Sequence, residues 1–263
     1  INNLGRSINV MSDKLERTIN QLRNSNIELE KDIEEKSKID EMRKSFISDV
    51  SHELKTPIAL IQGYSEGLLE NVNTDEESRK FYAEVILDET NKMDKLVKQL
   101  LELMKLEYGK RQFNDKKFNI VEVEKEVVRK SKVMLEEKKV KIEFNLSEEI
   151  NVFADDFYIE QVISNYITNA IKHVKEIDGK KVISIVNEVN IEKNKVRVKI
   201  FNTGENIAEE HINRIWNRFY KVDESRNRTD GGTGIGLSFV KAIMNNYGNR
   251  YGVTNKEDGE IGR

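Results

Sequence analysis

The sequence predicts an α+β chain: an N-terminal coiled coil and a helical hairpin, followed by a two-layer α/β sandwich. Three observations predict it. Up to about residue 107 the apolar residues recur at threes, fours and sevens, with few glycines and a single proline. From residue 118 onward, short stretches of β-branched alternation separate helical segments. Between the two regimes, Lys110 to Lys117 is polar and basic and reads as a linker.

Bulk composition narrows the function. Charged residues make up 35% of the 263 and apolar residues 37%, against about 25% charged in an ordinary soluble domain. That balance suits long exposed helices. A net charge of −3 gives no electrostatic reason to bind nucleic acid. With no cysteine and three scattered histidines, thiol chemistry and disulfides are excluded and a structural zinc site is not expected. No apolar run approaches the ~18–20 residues of a membrane span. The chain starts at Ile1, so it is expected to be a piece of something longer, with any membrane anchor upstream.

Residues 1–40 carry a narrow stripe of Leu4, Ile8, Met11, Leu15, Ile19, Leu22, Leu29 and Ile33, the seam of a two-stranded coil. Phe46, Val50, Leu54, Ile58 and Ile61 continue a helical face over 41–71, and Pro57 is expected to kink it. Asn71–Asp75 is a turn, and Thr74 with Glu77 fits a capping box. A second helix over 75–107 has the stripe Phe81, Val85, Ile86, Met93, Leu96, Leu100, Leu103 and Leu106, with Gly109 as its C-cap. One such hairpin has too little core to stand alone, whereas two make a four-helix bundle, so a homodimer is expected. The domains are therefore 1–40, 41–109, the linker 110–117, and 118–263.

Within the last domain, helices are expected near 120–138, 155–176, 208–216 and 236–247. Strands are expected at Lys141–Leu146, Asn151–Ala154, Val182–Val189 and Lys195–Phe201, the last two joined by a turn at Glu192–Lys195.

Several stretches carry chemistry. His52 lies off the apolar stripe of its helix and should face solvent, where a neutral imidazole is a usable nucleophile. Glu53 follows it, and Thr56 lies one turn on, on the same side. In the 155–176 helix, Asn165, Asn169, Lys172 and His173 share a polar face opposite Val162, Ile163, Ile167 and Ile171. A polar face of that kind suits a ligand or water. Asn169 offers an oxygen fit for Mg²⁺, and Lys172 a charge for phosphate. Ile200–Ile207 is a turn after a strand, in which Asn202 can present its amide to a heterocycle and Gly204 admits close backbone. Trp216–Asp230 reads as a polar lid based on Phe219 and Tyr220, with Lys221, Arg226 and Arg228 within reach of phosphates. Gly231-Gly-Thr-Gly-Ile-Gly opens directly into a helix, an anion cradle of backbone N–H groups. It has neither the Walker ending nor a Rossmann acidic partner.

Ser51-His-Glu-Leu-Lys-Thr-Pro-Ile58 resembles the phosphoacceptor box of sensor histidine kinases, the kinases of two-component signalling. The ordered Asn-x-x-x-Asn helix, post-strand turn, Phe-containing lid and glycine loop resemble the nucleotide-binding boxes of their Bergerat-type ATPase domain. Together the resemblance spans about residues 41–255. Leu4–Leu15 is similar to the last helix of a HAMP relay module. The resemblance implies a cytoplasmic portion of a cell-membrane protein that uses ATP and Mg²⁺, phosphorylates itself, and hands the phosphoryl to an Asp of a response regulator. It makes His52 the phosphorylated residue, Glu53 its acid–base partner, and Thr56 the residue that positions water in the reverse reaction. Asn165 and Asn169 would serve the Mg²⁺–phosphate region with Lys172 and His173 beside them, while Gly232, Thr233, Gly234, Gly236 and Leu237 would line the phosphates. Two positions depart from the pattern: Asn202 stands where the family usually has Asp, and Asn206 where it usually has Gly. The alternative is a signalling scaffold that binds nucleotide with weak or absent kinase activity.

Overall fold

A computed structural model describes residues 2–72, 75–108, 112–145, 149–222 and 233–256. They fall into two compact units, residues 1–89 and 90–263. The dividing point lies inside the second helix rather than in the basic stretch after it.

Helix α1 spans Asn2–Leu69 and continues through Pro57. The stripe of residues 1–40 and the His52 segment are thus on one helix. Leu15, Ile19, Leu22, Leu29 and Ile33 are exposed on it. Helix α2 spans Glu76–Tyr108. Its N-cap is Asp75, whose Oδ1 accepts the Ser78 N–H at 2.7 Å. That bond holds the Asp75 carboxyl below its usual range. The predicted Thr74 cap and the Gly109 C-cap lie outside the described residues. In the first unit, Tyr64 meets Tyr82 edge-to-face at 4.9 Å between ring centroids. A Cβ added to Gly67 would lie 2.7 Å from the Tyr82 ring, so the close crossing there requires glycine.

In the second unit the first strand, β1, is Lys116–Asn119. It falls on residues read from sequence as linker and helix lead-in. Helix α3, Ile120–Lys130, follows at once because Asn119 caps it, accepting the Val121 N–H at 3.1 Å. The helix expected over 120–138 breaks at Ser131, and a short α4 covers Lys132–Glu137. Ser131 Oγ donates to the Val127 carbonyl at 2.9 Å, closing the first helix with its own side chain. Then come β2 (Lys141–Asn145), β3 (Asn151–Ala154), α5 (Asp156–His173), β4 (Val182–Asn190) and β5 (Lys195–Asn202). The 208–216 segment is a four-residue helix, α6 (Glu209–Ile212), and a 3₁₀ turn, Arg214–Trp216. Helix α7 is Gly236–Asn246.

Strands β1 and β3 pair antiparallel. A second sheet runs β2–β4–β5, with β2 parallel to β4 and β4 antiparallel to β5. Ile120, Val121 and Val127 of α3, Ile163, Ile167 and Ile171 of α5, and Ile183 and Ile185 of β4 form the core between helices and sheet. Each such residue contributes roughly 1.5–3 kcal/mol when fully buried. That core makes α5 a rigid mount for its outer, polar face.

The second half of α2 belongs to this unit. Leu96, Leu100, Leu103 and Leu106 are buried. Tyr158 donates its hydroxyl to Glu102 at 2.6 Å, Arg218 pairs with Glu107, and the Asn246 amide donates to the Leu106 carbonyl at 2.9 Å. Phe113, beyond the helix, packs on Tyr158 and Tyr247, with ring centroids 5.1 and 4.7 Å away.

Candidate functional site

The outer face of α5 is where the nucleotide motifs meet. Asp155 caps the helix by accepting the Phe157 N–H at 3.1 Å, which fixes its start. Along it, Val162, Ile163, Ile167 and Ile171 are buried, while Asn165, Asn169 and Lys172 are half-buried and His173 is exposed. The Asn165 amide donates to the Gln161 carbonyl at 2.9 Å. The Asn169 amide makes no hydrogen bond to a described residue. A half-buried amide with no partner among the described residues is free to meet a ligand or water.

Two glycine contacts close the site around this helix. A Cβ at Gly236 would lie 2.6 Å from Asn165 Oδ1, so the glycine loop approaches the polar face as closely as backbone can. A Cβ at Gly234 would lie 2.7 Å from the Phe219 Cα, and Gly234 has φ +68°. Phe219 itself has φ +60°, and its N–H donates to the Gly234 carbonyl at 2.9 Å. The base of the expected lid is therefore braced on the glycine loop, and strain at Phe219 is held by that bond. Tyr220, also expected at the base, receives the Arg214 guanidinium over its ring at 4.6 Å and meets His211 Nδ1 at 2.7 Å through its hydroxyl. Thr233 turns its hydroxyl to Gln99 of α2 at 3.1 Å. Leu237 sits half-buried in the first turn of α7, and Lys221 half-buried just after Tyr220. Arg226, Arg228 and Gly232 lie outside the described residues.

The post-strand turn joins the far end of the same helix. A Cβ at Gly204 would lie 2.7 Å from the His173 carbonyl oxygen, so the turn packs on the helix exit. Asn202 closes β5 opposite Ile183 of β4. Asn165, Gly234, Gly236 and Phe219 are thus one linked cluster, and Asn202 and Gly204 a second one at the His173 end of α5.

His52, Glu53 and Thr56 lie on α1, in the other compact unit. His52 and Thr56 are exposed and Glu53 is half-buried. The imidazole is open to a reactant, as its position off the apolar stripe requires.

Residues 42–109 match the His Kinase A (phospho-acceptor) domain, and residues 154–261 match the histidine kinase-, DNA gyrase B- and HSP90-like ATPase. The chain belongs to the sensor histidine kinases. The sensor protein SrrB of Staphylococcus aureus is 32% identical over 218 residues, which is 83% of this histidine kinase chain and 36% of SrrB. The chain thus spans little more than a third of the length of that relative. Among solved structures, the Acinetobacter baumannii histidine kinase AdeS aligns with a TM-score of 0.59 at 27% identity, covering 73% of this chain and 85% of AdeS. The histidine kinase ThkA, solved in complex with the response regulator protein TrrA, aligns with a TM-score of 0.62 at 26% identity, covering 82% of this chain and 58% of that one. No helix among the described residues is long and apolar enough to cross a membrane.

Sequence reasoning passed over three groups in this unit. Thr203 sits inside the turn motif but was not singled out. Gln99 lies half-buried beside an apolar stripe, where only the fold shows what it meets. Glu124 of α3 is fully buried, and its charge gave no sign of that in the sequence.

Proposed function

We propose that this chain is the catalytic portion of an autophosphorylating kinase that uses ATP to phosphorylate His52. The observation that carries this reading is the clustering around α5: the Asn165–Gly236 and Gly234–Phe219 approaches form a backbone cradle beside two amides, while an exposed imidazole stands on a separate helix. Phosphoryl transfer asks little covalent chemistry of a protein beyond positioning and charge stabilisation. The backbone N–H groups at the start of α7 and the Lys172 ammonium face the phosphates. Lys221, and Arg226 and Arg228 of the lid, add charge as it develops. Asn202 accepts from the base.

In the transfer, the lone pair of one His52 ring nitrogen, Nε2, attacks the γ-phosphorus. The N–P bond forms as the bond to the bridging oxygen breaks, and ADP leaves with that electron pair. Glu53 takes the proton from the other ring nitrogen. The half-buried Asn169 amide, with no partner among the described residues, would be the protein ligand for Mg²⁺, which commonly takes only one or two. When bound, that ion neutralises phosphate charge. His52 then passes the phosphoryl to a response-regulator Asp, and Thr56 positions water for the reverse, phosphatase reaction. The exposed apolar seams of α1 and α2 support a homodimer, and the parent protein is read as membrane-anchored upstream with this portion in the cytoplasm.

The test is chemical. After incubation with γ-labelled ATP and Mg²⁺, the chain is expected to carry phosphate that acid releases and base does not. Base-labile, acid-stable phosphate, or ATP hydrolysis without any labelling, contradicts the reading and favours a scaffold or an ATPase of another kind.

A further inference from the structure

The Asn202 turn holds a polar arrangement that the reaction as described leaves unused. Thr203 makes four hydrogen bonds to two separated pieces of backbone. Its N–H donates to the Val182 carbonyl at 3.0 Å, and its carbonyl accepts the Lys175 N–H at 2.9 Å. Its hydroxyl oxygen accepts the Val182 N–H at 3.1 Å and donates to the Lys175 carbonyl at 2.8 Å. Val182 begins β4, and Lys175 lies two residues past the end of α5. Thr203 therefore ties the turn to the central strand and to the exit of the helix that carries Asn165 and Asn169.

The same residue fixes its neighbour's amide. Asn202 Nδ2 donates to the Thr203 carbonyl at 3.2 Å. A Cβ at Gly204 would lie 3.3 Å from that nitrogen, so any other residue there would crowd it. The opposite orientation would set the amide oxygen against a carbonyl oxygen, two acceptors with no proton between them. The nitrogen end is therefore occupied. Asn202 Oδ1 has no partner among the described residues and is the end left to meet a ligand.

We infer that Thr203 is a positioning residue for base recognition, holding Asn202 so that it presents an acceptor and selects a purine bearing an amino group at C6 over one bearing a carbonyl. This rests on the nucleotide reading above and deepens it. The usual Asp has two acceptor oxygens and selects in either rotamer. An Asn selects only while its orientation is held, because a turned amide would donate to the C6 carbonyl of guanine instead. Thr203 supplies what the missing charge would otherwise have made unnecessary.

The experiment measures ADP and GDP affinities by calorimetry for the full chain, for Thr203→Val and for Thr203→Ser. Wild type is expected to prefer ADP. Thr203→Val, which removes the hydroxyl at nearly constant volume, is expected to lower the ADP:GDP preference by about tenfold, the scale of one or two lost hydrogen bonds. Thr203→Ser, which keeps the hydroxyl, is expected to retain it. An unchanged preference in a folded Thr203→Val, or a serine variant that falls as far as valine, overturns the proposal. A second measurement needs no variant: in side-chain amide NMR of wild type, the hydrogen-bonded Asn202 N–H is expected to stay in place when ADP binds. Its displacement by ADP overturns the proposal equally. Failure of wild type to bind either nucleotide would instead sink the nucleotide reading itself.

Discussion

Helix α2 carries one apolar stripe through two different environments. In the first unit Phe81 is 54% exposed and Val85 and Ile86 are half-buried; in the second, Leu100 and Leu103 are 5% and 0% exposed. The residue types and spacing are alike in both halves. What differs is whether a single chain contains the surface that covers them. Beside the second half, Tyr158, Arg218 and Asn246 of the same unit bond to the helix. The first half has an aromatic cluster with α1, but Phe81 stays open and Val85 and Ile86 are only half covered. A periodic pattern thus announces that a face will be covered and says nothing of what covers it.

Paired truncations sharpen that contrast and have the largest expected effect. Leu103→Ala should lower unfolding free energy by about 3 kcal/mol, as for other buried leucines. The loss should not depend on protein concentration in denaturant titrations. Phe81→Ala should cost less in dilute solution and more as concentration rises, on the proposal that a second copy covers that face. Equal costs at low concentration for the two would erase the distinction.

Glu124 tests the closed unit from within. It is fully buried, and the Asn187 amide donates to its Oε2 at 2.9 Å, yet Glu124 Oε1 and Asn187 Oδ1 have no partner among the described residues. Burial pushes its carboxyl up to about 7, with the Asn187 bond opposing. A proton on Oε1 would serve both orphaned acceptors. Because the folded form holds its proton where the unfolded form has lost it, stability falls as pH rises through the interval from the unfolded value near 4.5 to about 7. The loss between pH 5 and 8 is on the order of 2 kcal/mol. Glu124→Gln, whose amide can donate to Asn187 Oδ1, should flatten that slope and be the more stable protein at pH 8. A slope unchanged by the substitution removes Glu124 as its cause.

A smaller effect is expected at the glycine loop. Gly234→Ala places a Cβ against Phe219 backbone at positive φ, costing about 1–2 kcal/mol and weakening nucleotide binding with it. Full binding in a stable Gly234→Ala variant would show that the Phe219 brace is not part of the site.

How much of this was legible follows the same division. Stripes on α1 and α2, the β4–β5 hairpin and the two faces of α5 could be read because each is a local period. Strand β1 could not, since Lys116-Lys-Phe-Asn becomes a strand only by pairing with Asn151–Ala154, more than thirty residues away. The break at Ser131 depends on a side chain turning back onto Val127, which helix propensity alone does not reveal. The Asp75 bond to the Ser78 N–H lies one residue beyond the Thr74 cap expected from sequence, a position outside the described residues. At the site, residue types named the chemistry, but Thr203 and Glu124 owe their roles to partners remote in the chain.

The central claim is that a nucleotide held on α5 supplies phosphorus to the exposed imidazole of α1. The most direct measurement compares wild type and His52→Gln for labelling from γ-labelled ATP and, in parallel, for ADP affinity by calorimetry. The account predicts that labelling disappears while affinity is unchanged. Persistent labelling of His52→Gln with intact nucleotide binding would contradict it.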